Sequence, residues 1–326
     1  MVTTLISRAK GALCGLAIGD ALGSPTEGKT RSEITLRWGR VNDFLSHDQS
    51  GTDDTEYALL TSRILLHSGI SFTAEDVVRE YRECVLNESN KYKGAGFSEI
   101  FFLQNLRQGL SAPSSGRHIH SWSDGSAMRA APHGIVAAGN AELAGILARR
   151  EGEVTHSGEG VYCGMAVAAA ISAAVNGAGL DKIQNAALDV VPHDTWTYRS
   201  LKSGIEIGKA SSDVWQALDA LEASLVRAFY HWPDIAPEPV GIAFGIVAAS
   251  RGSFSDAVLG GVNMGRDADT IAAIAGAITG AMSGYEKLPE AWKKRISVAE
   301  GNCIKTVAGM DIAGTAESLA KMANHE

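Results

Sequence analysis

The sequence has few cysteines and no paired ones, which argues against zinc and disulfide frameworks. Its four cysteines, Cys14, Cys84, Cys163 and Cys303, are scattered along 326 residues and form no CxxC pair. Structural zinc sites and disulfide scaffolds need cysteines at short, regular spacings. We therefore expect four buried thiols in a reducing compartment.

Basic clusters and long apolar runs are also missing. The chain has 29 Lys and Arg residues against 37 Asp and Glu residues, a net charge of -8, and no basic stripe of the kind that binds nucleic acids. The apolar run at 271–282 is too short to span a bilayer, and the N-terminal residues do not form a signal-peptide pattern. We predict a cytoplasmic protein with no nucleic-acid or membrane surface.

Alternating strand patterns are nearly absent, and helical periodicity dominates instead. Apolar residues recur about every 3.6 positions, which is the spacing of a helix with a buried face. The predicted helices are 3–18, 55–67, 74–86, 160–175, 212–230, 241–250 and 269–283, and the predicted loops are 23–51, 87–96, 111–126, 151–160 and 231–239. These patterns predict an all-α fold.

Glycine, with 36 residues, is what the sequence has in abundance. Small side chains let helix axes approach one another, so the Ala-Gly-rich apolar segments predict closely packed helices. The proline-rich segment 232–239 has the composition of a linker, but the acidic motifs on either side of it look like parts of one site. We therefore expect a compact single-domain helical bundle over residues 1–326.

Two acidic motifs each come directly before a predicted helix. They are Gly-Thr-Asp-Asp-Thr at 51–55 and Asp-Ala-Asp-Thr at 267–270. A helix N-cap needs only one such residue, and clustered carboxylates repel one another unless a cation neutralises them. Carboxylate and hydroxyl oxygens suit Mg²⁺, Mn²⁺ or Ca²⁺ better than zinc. We favour a metal site, with helix capping and solvated loops as the alternative.

These motifs belong to an ordered set that spans nearly the whole chain. The set consists of 11–23, 25–27, 52–55, 124–129 with Pro132 and Gly134, 155–156, 263–271, the glycines and alanines at 276–281, and Pro289 and Trp292. With it the sequence resembles the ADP-ribosylglycohydrolase family, which includes dinitrogenase reductase-activating glycohydrolase and crystallin J1. The resemblance implies a central cleft that holds two Mg²⁺ ions, for which Mn²⁺ could substitute.

The resemblance also implies roles for particular residues. The metal ligands would be Thr52, Asp53, Asp54, Asp267, Asp269 and Thr270. The catalytic residues would be Glu27, as gate or general base, with Asp54 and Asp267. The turn formed by Gly125, Ser126, Ala127 and Met128 would hold a diphosphate through backbone N–H groups, and His156 would contact the distal ribose or a phosphate.

Three neighbouring residues are expected to support the site or the fold. Asp20 would orient ligands or cap a helix, Asp124 would line the pocket or cap, and Arg129 would hold the fold through ion pairs. Five aromatic residues are candidates for stacking on an adenine, and the sequence does not choose among them. They are Tyr92, Phe97, Trp122, Trp196 and Tyr198.

The reaction that the resemblance implies is hydrolysis at the anomeric carbon of ADP-ribose, on an ADP-ribosylated protein or a small ADP-ribose conjugate. Two alternatives stay open: a ribosyl hydrolase for a nucleoside-like metabolite without the ADP part, and a non-enzymatic family member with a binding or structural role. The presence of all four motif aspartates and of Glu27 counts against the non-enzymatic alternative.

Two residues depart from the family pattern beside the metal motifs. Arg266 stands where many relatives have glycine, and its guanidinium could reach a phosphate or pair with a carboxylate. Glu56 stands where relatives often have an apolar residue. We expect Glu56 to be an exposed acid of the first helical turn, with an extra polar group at the site as the alternative.

Overall fold

Helices joined by short turns make up most of the described chain, which in this computed structural model comprises residues 4–86 and 96–323. The helices are α1 (Leu5–Gly23), α2 (Arg31–Trp38), α3 (Asp53–Ser68), α4 (Ala74–Tyr81), α5 (Phe97–Arg107), α6 (Gly125–Met128), α7 (Ala131–Val136), α8 (Ala141–Thr155), α9 (Glu159–Val175), α10 (Leu180–Asp189), α11 (Trp196–Ala210), α12 (Val214–Leu225), α13 (Pro237–Ala249), α14 (Phe254–Met264), α15 (Ala268–Ser283), α16 (Glu290–Arg295) and α17 (Ile312–Ala323). Within those residues β-structure is limited to two isolated bridges, so the all-α prediction is confirmed.

Four of the predicted loops, 23–51, 111–126, 151–160 and 231–239, contain helical residues, and the predicted helix 212–230 is shorter than expected. The segment 23–51 includes α2, which begins with a reciprocal capping box between Thr30 and Glu33. Helix α8 continues to residue 155, and α13 begins at Pro237, where proline is tolerated because the first helical N–H has no partner to lose. Helix α12 ends at Leu225, five residues before the predicted end at 230.

Helices α1 and α15 pack backbone against backbone, as the glycine content predicts. A Cβ on Gly15 would lie 2.2 Å from the Gly276 carbonyl oxygen, and one on Gly19 would lie 2.1 Å from that of Ala272. Only glycine fits at such distances. Because the two helices run in opposite directions, the end of α1 meets the start of α15, where Asp269 lies.

The central helices are buried nearly all round. Helices α13 and α15 have no polar face, and almost every residue of each is inaccessible to solvent. Such helices are stabilised by burial of apolar surface, at roughly 25 cal/mol per Å². The ends of these helices form a fixed frame for the residues described next.

Two predictions about what the chain lacks can be compared with the structure. The four cysteines are buried and unpaired, as expected. No helix among the described residues has the length and apolar character needed to cross a membrane.

Candidate metal centre

Both acidic motifs open into one cleft with a volume of about 390 Å³. Six segments meet there: the loop after α1, the first turns of α3, α5, α6 and α15, and the loop before α13. The acidic and hydroxyl side chains that line it are Glu27, Asp53, Asp54, Asp124, Asp234, Asp267, Asp269 and Thr270. The structure thus joins residues more than 200 positions apart into one acidic surface.

Asp20 fixes the first turn of α3 from beneath. It is fully buried, and its carboxylate accepts the backbone N–H groups of Thr52 (2.8 Å) and Thr55 (3.0 Å) together with both threonine hydroxyls. Four donors leave this carboxylate little capacity for a cation, although its oxygens lie close to those of Asp54 and Asp269. The geometry is that of a residue that orients ligands, in line with its expected role.

Four buried carboxylates at the cleft have an oxygen with no hydrogen-bond partner among the described residues. These oxygens are Asp54 Oδ1, Asp124 Oδ2, Asp267 Oδ2 and Asp269 Oδ1. An unpartnered buried polar atom costs about 1–3 kcal/mol, and more when it is charged. Among the described residues that line the cleft there is no Lys or Arg. The donor set therefore fits a hard divalent cation, which would neutralise these oxygens.

The short distances between the carboxylate oxygens also fit a cation site. Oxygens of Asp20, Asp54 and Asp269 lie within 4.8 Å of one another, and so do oxygens of Glu27, Asp267 and Asp269. The two groups overlap at Asp269. Because the Asp20 carboxylate already accepts four hydrogen bonds, the donors left for a cation in the first group are the oxygens of Asp54 and Asp269.

Burial and mutual repulsion disturb the ionisation of these acids. Burial and the charges of Asp269 and Asp20 raise the pKa of Asp54 well above its usual value. Burial and the neighbouring Asp124 do the same to the pKa of Asp267, and burial raises the pKa of Asp234 to about 7. A bound cation would favour the ionised forms, because opposite charge lowers a carboxyl pKa.

Glu27 lies at the mouth of the cleft. The residue is exposed, but its carboxylate reaches the oxygens of Asp267 and Asp269. Partial burial of that carboxylate and the charge of Asp20 raise the pKa of Glu27. A carboxylate in this environment is a stronger proton acceptor than a solvated one.

Two of the four residues of the predicted anion-binding turn, 125–128, form part of the cleft wall. Gly125 and Met128 line the cleft, whereas Ser126 and Ala127 are buried behind it. The N–H groups of Ala127 and Met128 already donate to the Asp124 carbonyl, at 2.6 and 3.0 Å. Any ligand at this turn would therefore have the N–H groups of Gly125 and Ser126 as its donors.

A buried ionic network supports this turn from inside the protein. Arg129 donates to the Gly125 carbonyl (2.7 Å), to Glu99 Oε1 (2.6 Å), to Glu151 Oε1 (2.8 Å) and to the Thr155 hydroxyl (2.6 Å). All its partners are buried. Arg129 therefore has the fold-holding role that we expected for it.

His156 is not among the residues that line the acidic cleft. Its ring is fully buried, with Nδ1 2.6 Å from the Thr155 hydroxyl and Nε2 3.1 Å from that of Ser123. Burial and the nearby Arg129 charge lower the pKa of His156 well below its usual value, so the imidazole is neutral. Contact with a ligand would require this ring to move.

Of the aromatic candidates, Phe97 lines the cleft and Trp122 packs on it with ring centroids 4.6 Å apart. Trp196 and Tyr198 lie on α11 and do not line the cleft, and Tyr92 lies outside the described residues. Trp232, which the sequence did not single out, is part of the cleft wall.

The expectation for Glu56 is wrong. Only 1% of the residue is exposed, and its carboxylate accepts the backbone N–H groups of Asn302 (2.6 Å), Cys303 (2.7 Å) and Ile304 (2.5 Å). Glu56 thus ties the C-terminal segment to α3 and is neither an exposed acid nor part of the cleft. Arg266 takes the second of its two expected roles, because its Nε donates to the buried Glu238 carboxylate at 2.7 Å.

Sequence reasoning missed two acids near the cleft. Asp234 lies in the loop before α13 and lines the cleft, and Glu99 lies directly under the turn at Gly125. A Cβ on Gly125 would lie 2.1 Å from Glu99 Oε1, so the glycine is required there. Neither acid has a neighbouring motif, since each reaches the site through tertiary packing.

Comparison with known proteins shows which family the chain belongs to. The family profile described as ADP-ribosylglycohydrolase matches residues 1–324. The chain is 29% identical to the ADP-ribosylarginine hydrolase of Pseudomonas putida over 90% of its own length and 75% of the relative's. It is 24% identical to the ADP-ribosyl-[dinitrogen reductase] glycohydrolase of Rhodospirillum rubrum, over 89% and 90% of the two chains. A solved ADP-ribosylglycohydrolase-related protein complex contains a chain that superposes with a TM-score of 0.68 at 25% identity, covering 98% and 99% of the two chains.

Proposed function

Because the chain belongs to the ADP-ribosylglycohydrolase family, we propose that it hydrolyses the glycosidic bond between the anomeric carbon of ADP-ribose and a protein side chain or small conjugate. The observation that carries the proposal is the set of four unpartnered buried carboxylate oxygens in one cleft. An acidic cleft of this kind needs bound cations, and relatives named as ADP-ribosyl hydrolases match most of the chain.

Two Mg²⁺ ions, or Mn²⁺ in their place, are the cations we propose for the cleft. The ligands would be Thr52, Asp53, Asp54, Asp267, Asp269 and Thr270. The hard oxygen donors support this assignment, and three of the proposed ligands, Asp54, Asp267 and Asp269, belong to groups of carboxylate oxygens that lie within 4.8 Å of one another. When bound, such ions supply the positive charge that orients ribose hydroxyls and lowers the pKa of water.

Glu27 is the residue that we propose as general base. Its carboxylate, at the mouth of the cleft, would accept the proton of the attacking water as the oxygen bonds to the anomeric carbon and the acceptor group departs. The raised pKa of Glu27 supports this role, since a general base works best when its pKa approaches the working pH. Asp54 and Asp267 would hold the reacting groups in register with Glu27.

The part of the cleft wall that contains the turn at 125–128 would bind the diphosphate. We propose that the N–H groups of Gly125 and Ser126 donate to it, with Arg129 keeping the turn in place through the Gly125 carbonyl. His156 would reach the distal ribose or a phosphate after its ring leaves the Ser123 hydroxyl.

The whole chain, residues 1–326, is proposed to be one domain. The metal motifs come from opposite sides of the proline-rich segment at 232–239. The backbone contact between α1 and α15 also joins helices that lie on opposite sides of that segment. Both observations support a single folding unit.

A release assay tests the proposed reaction. The purified protein would be incubated with ADP-ribosyl-arginine, ADP-ribosyl-serine, O-acetyl-ADP-ribose and simple ribosides, each with Mg²⁺ and with a chelator. We expect Mg²⁺-dependent release of ADP-ribose from at least one ADP-ribosyl conjugate. Cleavage of simple ribosides alone would favour the alternative of a ribosyl hydrolase for nucleoside-like metabolites. No cleavage of any probe would favour a non-enzymatic member of the family.

A further inference from the structure

Arg266 lies where three segments that wall the acidic cleft come together. Arg266 directly precedes Asp267, the first residue of the acidic motif at 267–270. Its backbone N–H donates to the Lys29 carbonyl, and its own carbonyl accepts the Gly28 N–H, both at 2.7 Å. These two bonds attach the metal motif to the loop that carries Glu27.

The side chain of Arg266 reaches the base of the third segment, where the loop between α12 and α13 joins α13. Its Nε donates to Glu238 Oε1 at 2.7 Å, and Glu238 is buried, with 1% of its surface exposed. The other oxygen of Glu238 accepts the backbone N–H of Arg227, also at 2.7 Å. Since Arg227 begins the loop and Glu238 follows its end, this carboxylate closes the loop at its base. Trp232 and Asp234 project from the loop into the cleft wall.

The two halves of this loop are held by different contacts. The second half pairs with the chain before α6, through the Asp234 carbonyl, which accepts the Asp124 N–H (3.1 Å), and the Ala236 N–H, which donates to Trp122 (3.2 Å). In the described part of the chain, the first half, residues 227–233, has a single backbone hydrogen bond to the rest of the protein, the one to Glu238.

The backbone conformation at Arg266 would suit glycine better than arginine. Its φ of 59° is left-handed, a conformation that glycine adopts freely and other L residues adopt only at a cost. Arginine is therefore a poor residue for this backbone position. Its presence is explained if the guanidinium performs a task that glycine cannot.

On the basis of the proposed function, we propose that Arg266 is a positioning residue that holds residues 227–233, and with them Trp232, against the cleft. It acts through Glu238 and lines no part of the cleft itself. Without the guanidinium, the base of the loop would be released, the ring contacts of Tyr230 and Trp232 alone would oppose its opening, and a conjugate would meet a wider entrance. The metal ligands would stay in place, because Asp267 and Asp269 are fixed by α15.

Hydrogen–deuterium exchange on the metal-free protein tests the structural part of this proposal. The variant Arg266→Gly removes the side chain while suiting the left-handed backbone. We expect amide exchange at Arg227 and Tyr230, whose N–H groups are the hydrogen-bonded ones among described residues 227–233, to become at least about tenfold faster, because local opening costs less once the loop base is released. The amides of Ala236 and Asp124 should exchange as in the wild type, since the hydrogen bonds between the second half of the loop and the chain before α6 remain.

Arg251→Gly is the matched control. Arg251 is the other non-glycine residue with positive φ in the described chain, at 53°, and its guanidinium binds carbonyl groups of Lys209 and Ser211 away from the cleft. This variant should leave exchange in residues 227–233 unchanged. It separates the effect of losing an arginine at a strained position from the effect of losing the contact with Glu238.

Steady-state kinetics test the consequence for the site, using the ADP-ribosyl conjugate that the wild type cleaves best. Arg266→Gly should raise KM about tenfold and change kcat less than about twofold, the pattern of lost uniform binding. Glu238→Gln should also raise KM about tenfold and change kcat less than about twofold. The double variant should be no worse than either single variant, because both remove one contact.

Unchanged exchange in residues 227–233 of Arg266→Gly, or an equal rise in Arg251→Gly, would overturn the proposal. A loss confined to kcat would also overturn it, since Arg266 would then act on the reacting groups. A wild type that cleaves no conjugate would count against the proposed function alone, because the exchange measurement needs no substrate.

Discussion

The protein contains two clusters of buried acids, and only one of them carries its own counter-charge. Glu99 and Glu151 share the guanidinium of Arg129, and every nitrogen of that guanidinium has a partner. Four aspartates of the cleft, Asp54, Asp124, Asp267 and Asp269, are also buried, but in the described part of the chain no Lys or Arg lines the cleft and one oxygen of each has no partner. Burial therefore does not distinguish a structural acid from a binding one, whereas the presence of an internal cation does.

The largest effect is expected from removing the internal cation. Arg129→Met would leave Glu99 and Glu151 as buried charges without compensation, and we expect a loss of about 3–5 kcal/mol in the free energy of unfolding. Urea unfolding would measure it. The control is Arg149→Met, which breaks an exposed pair with Glu153 and should cost less than about 0.5 kcal/mol. Equal losses in the two variants would remove the distinction between the clusters.

Removing an acid from the cleft should damage activity and spare the fold. Asp267→Ala or Asp53→Ala is expected to lower Mg²⁺-dependent kcat/KM by at least about 100-fold, which corresponds to about 2.7 kcal/mol. Circular dichroism should show the helix content of the wild type. The exposed Asp219→Ala serves as control, with activity unchanged. Full activity in either cleft variant, or with chelator present, would rule out the metal mechanism.

Neutralising one acid in each cluster should have opposite effects on the metal-free protein. Asp54→Asn removes a carboxyl group whose pKa burial and neighbouring like charges raise, so we expect the stability to increase. Glu151→Gln removes a carboxylate whose pKa is lowered to about 2 by its partners, so the stability should fall by about 2 kcal/mol. Chemical denaturation with chelator present would measure both. The same sign in both variants would contradict the comparison.

The smallest effect is a dependence of metal-free stability on pH. The folded-state pKa values of the cleft acids are raised, with that of Asp234 at about 7, so the folded protein binds more protons than the unfolded chain at neutral pH. Stability should fall by about 1 kcal/mol from pH 6 to pH 7. The contribution of Glu151 is constant in this window, because its lowered pKa matters only as pH falls from about 4 towards 2. Thermal melting with and without Mg²⁺ measures the difference, and Mg²⁺ should abolish the slope.

The sequence predicted what depends on local pattern. The all-α fold follows from apolar periodicity, and the two acidic motifs can be recognised because their acids come directly before helices. Helix α2 was missed although its capping box, Thr30 with Glu33, can be read from the sequence. In that case a local pattern was available but was not used.

What remained out of reach depends on contacts between distant segments. Glu56 looked like an exposed acid because nothing near it indicates that the backbone of residues 302–304 folds over it. Asp234 and Glu99 likewise have no motif of their own and become part of the site through packing. Such contacts join residues far apart in the chain, so neither periodicity nor spacing encodes them.

The glycine contact between α1 and α15 has a mechanical consequence. Gly15 and Gly19 put main chain directly on main chain, with no layer of side chains between the helices that could change rotamer. Asp20 and Asp269, one on each helix, should therefore share any displacement as parts of one stiff body. Thermal motion at the cleft would then be confined to its loops, and the distance between these two carboxylates would stay constant until α1 and α15 separate.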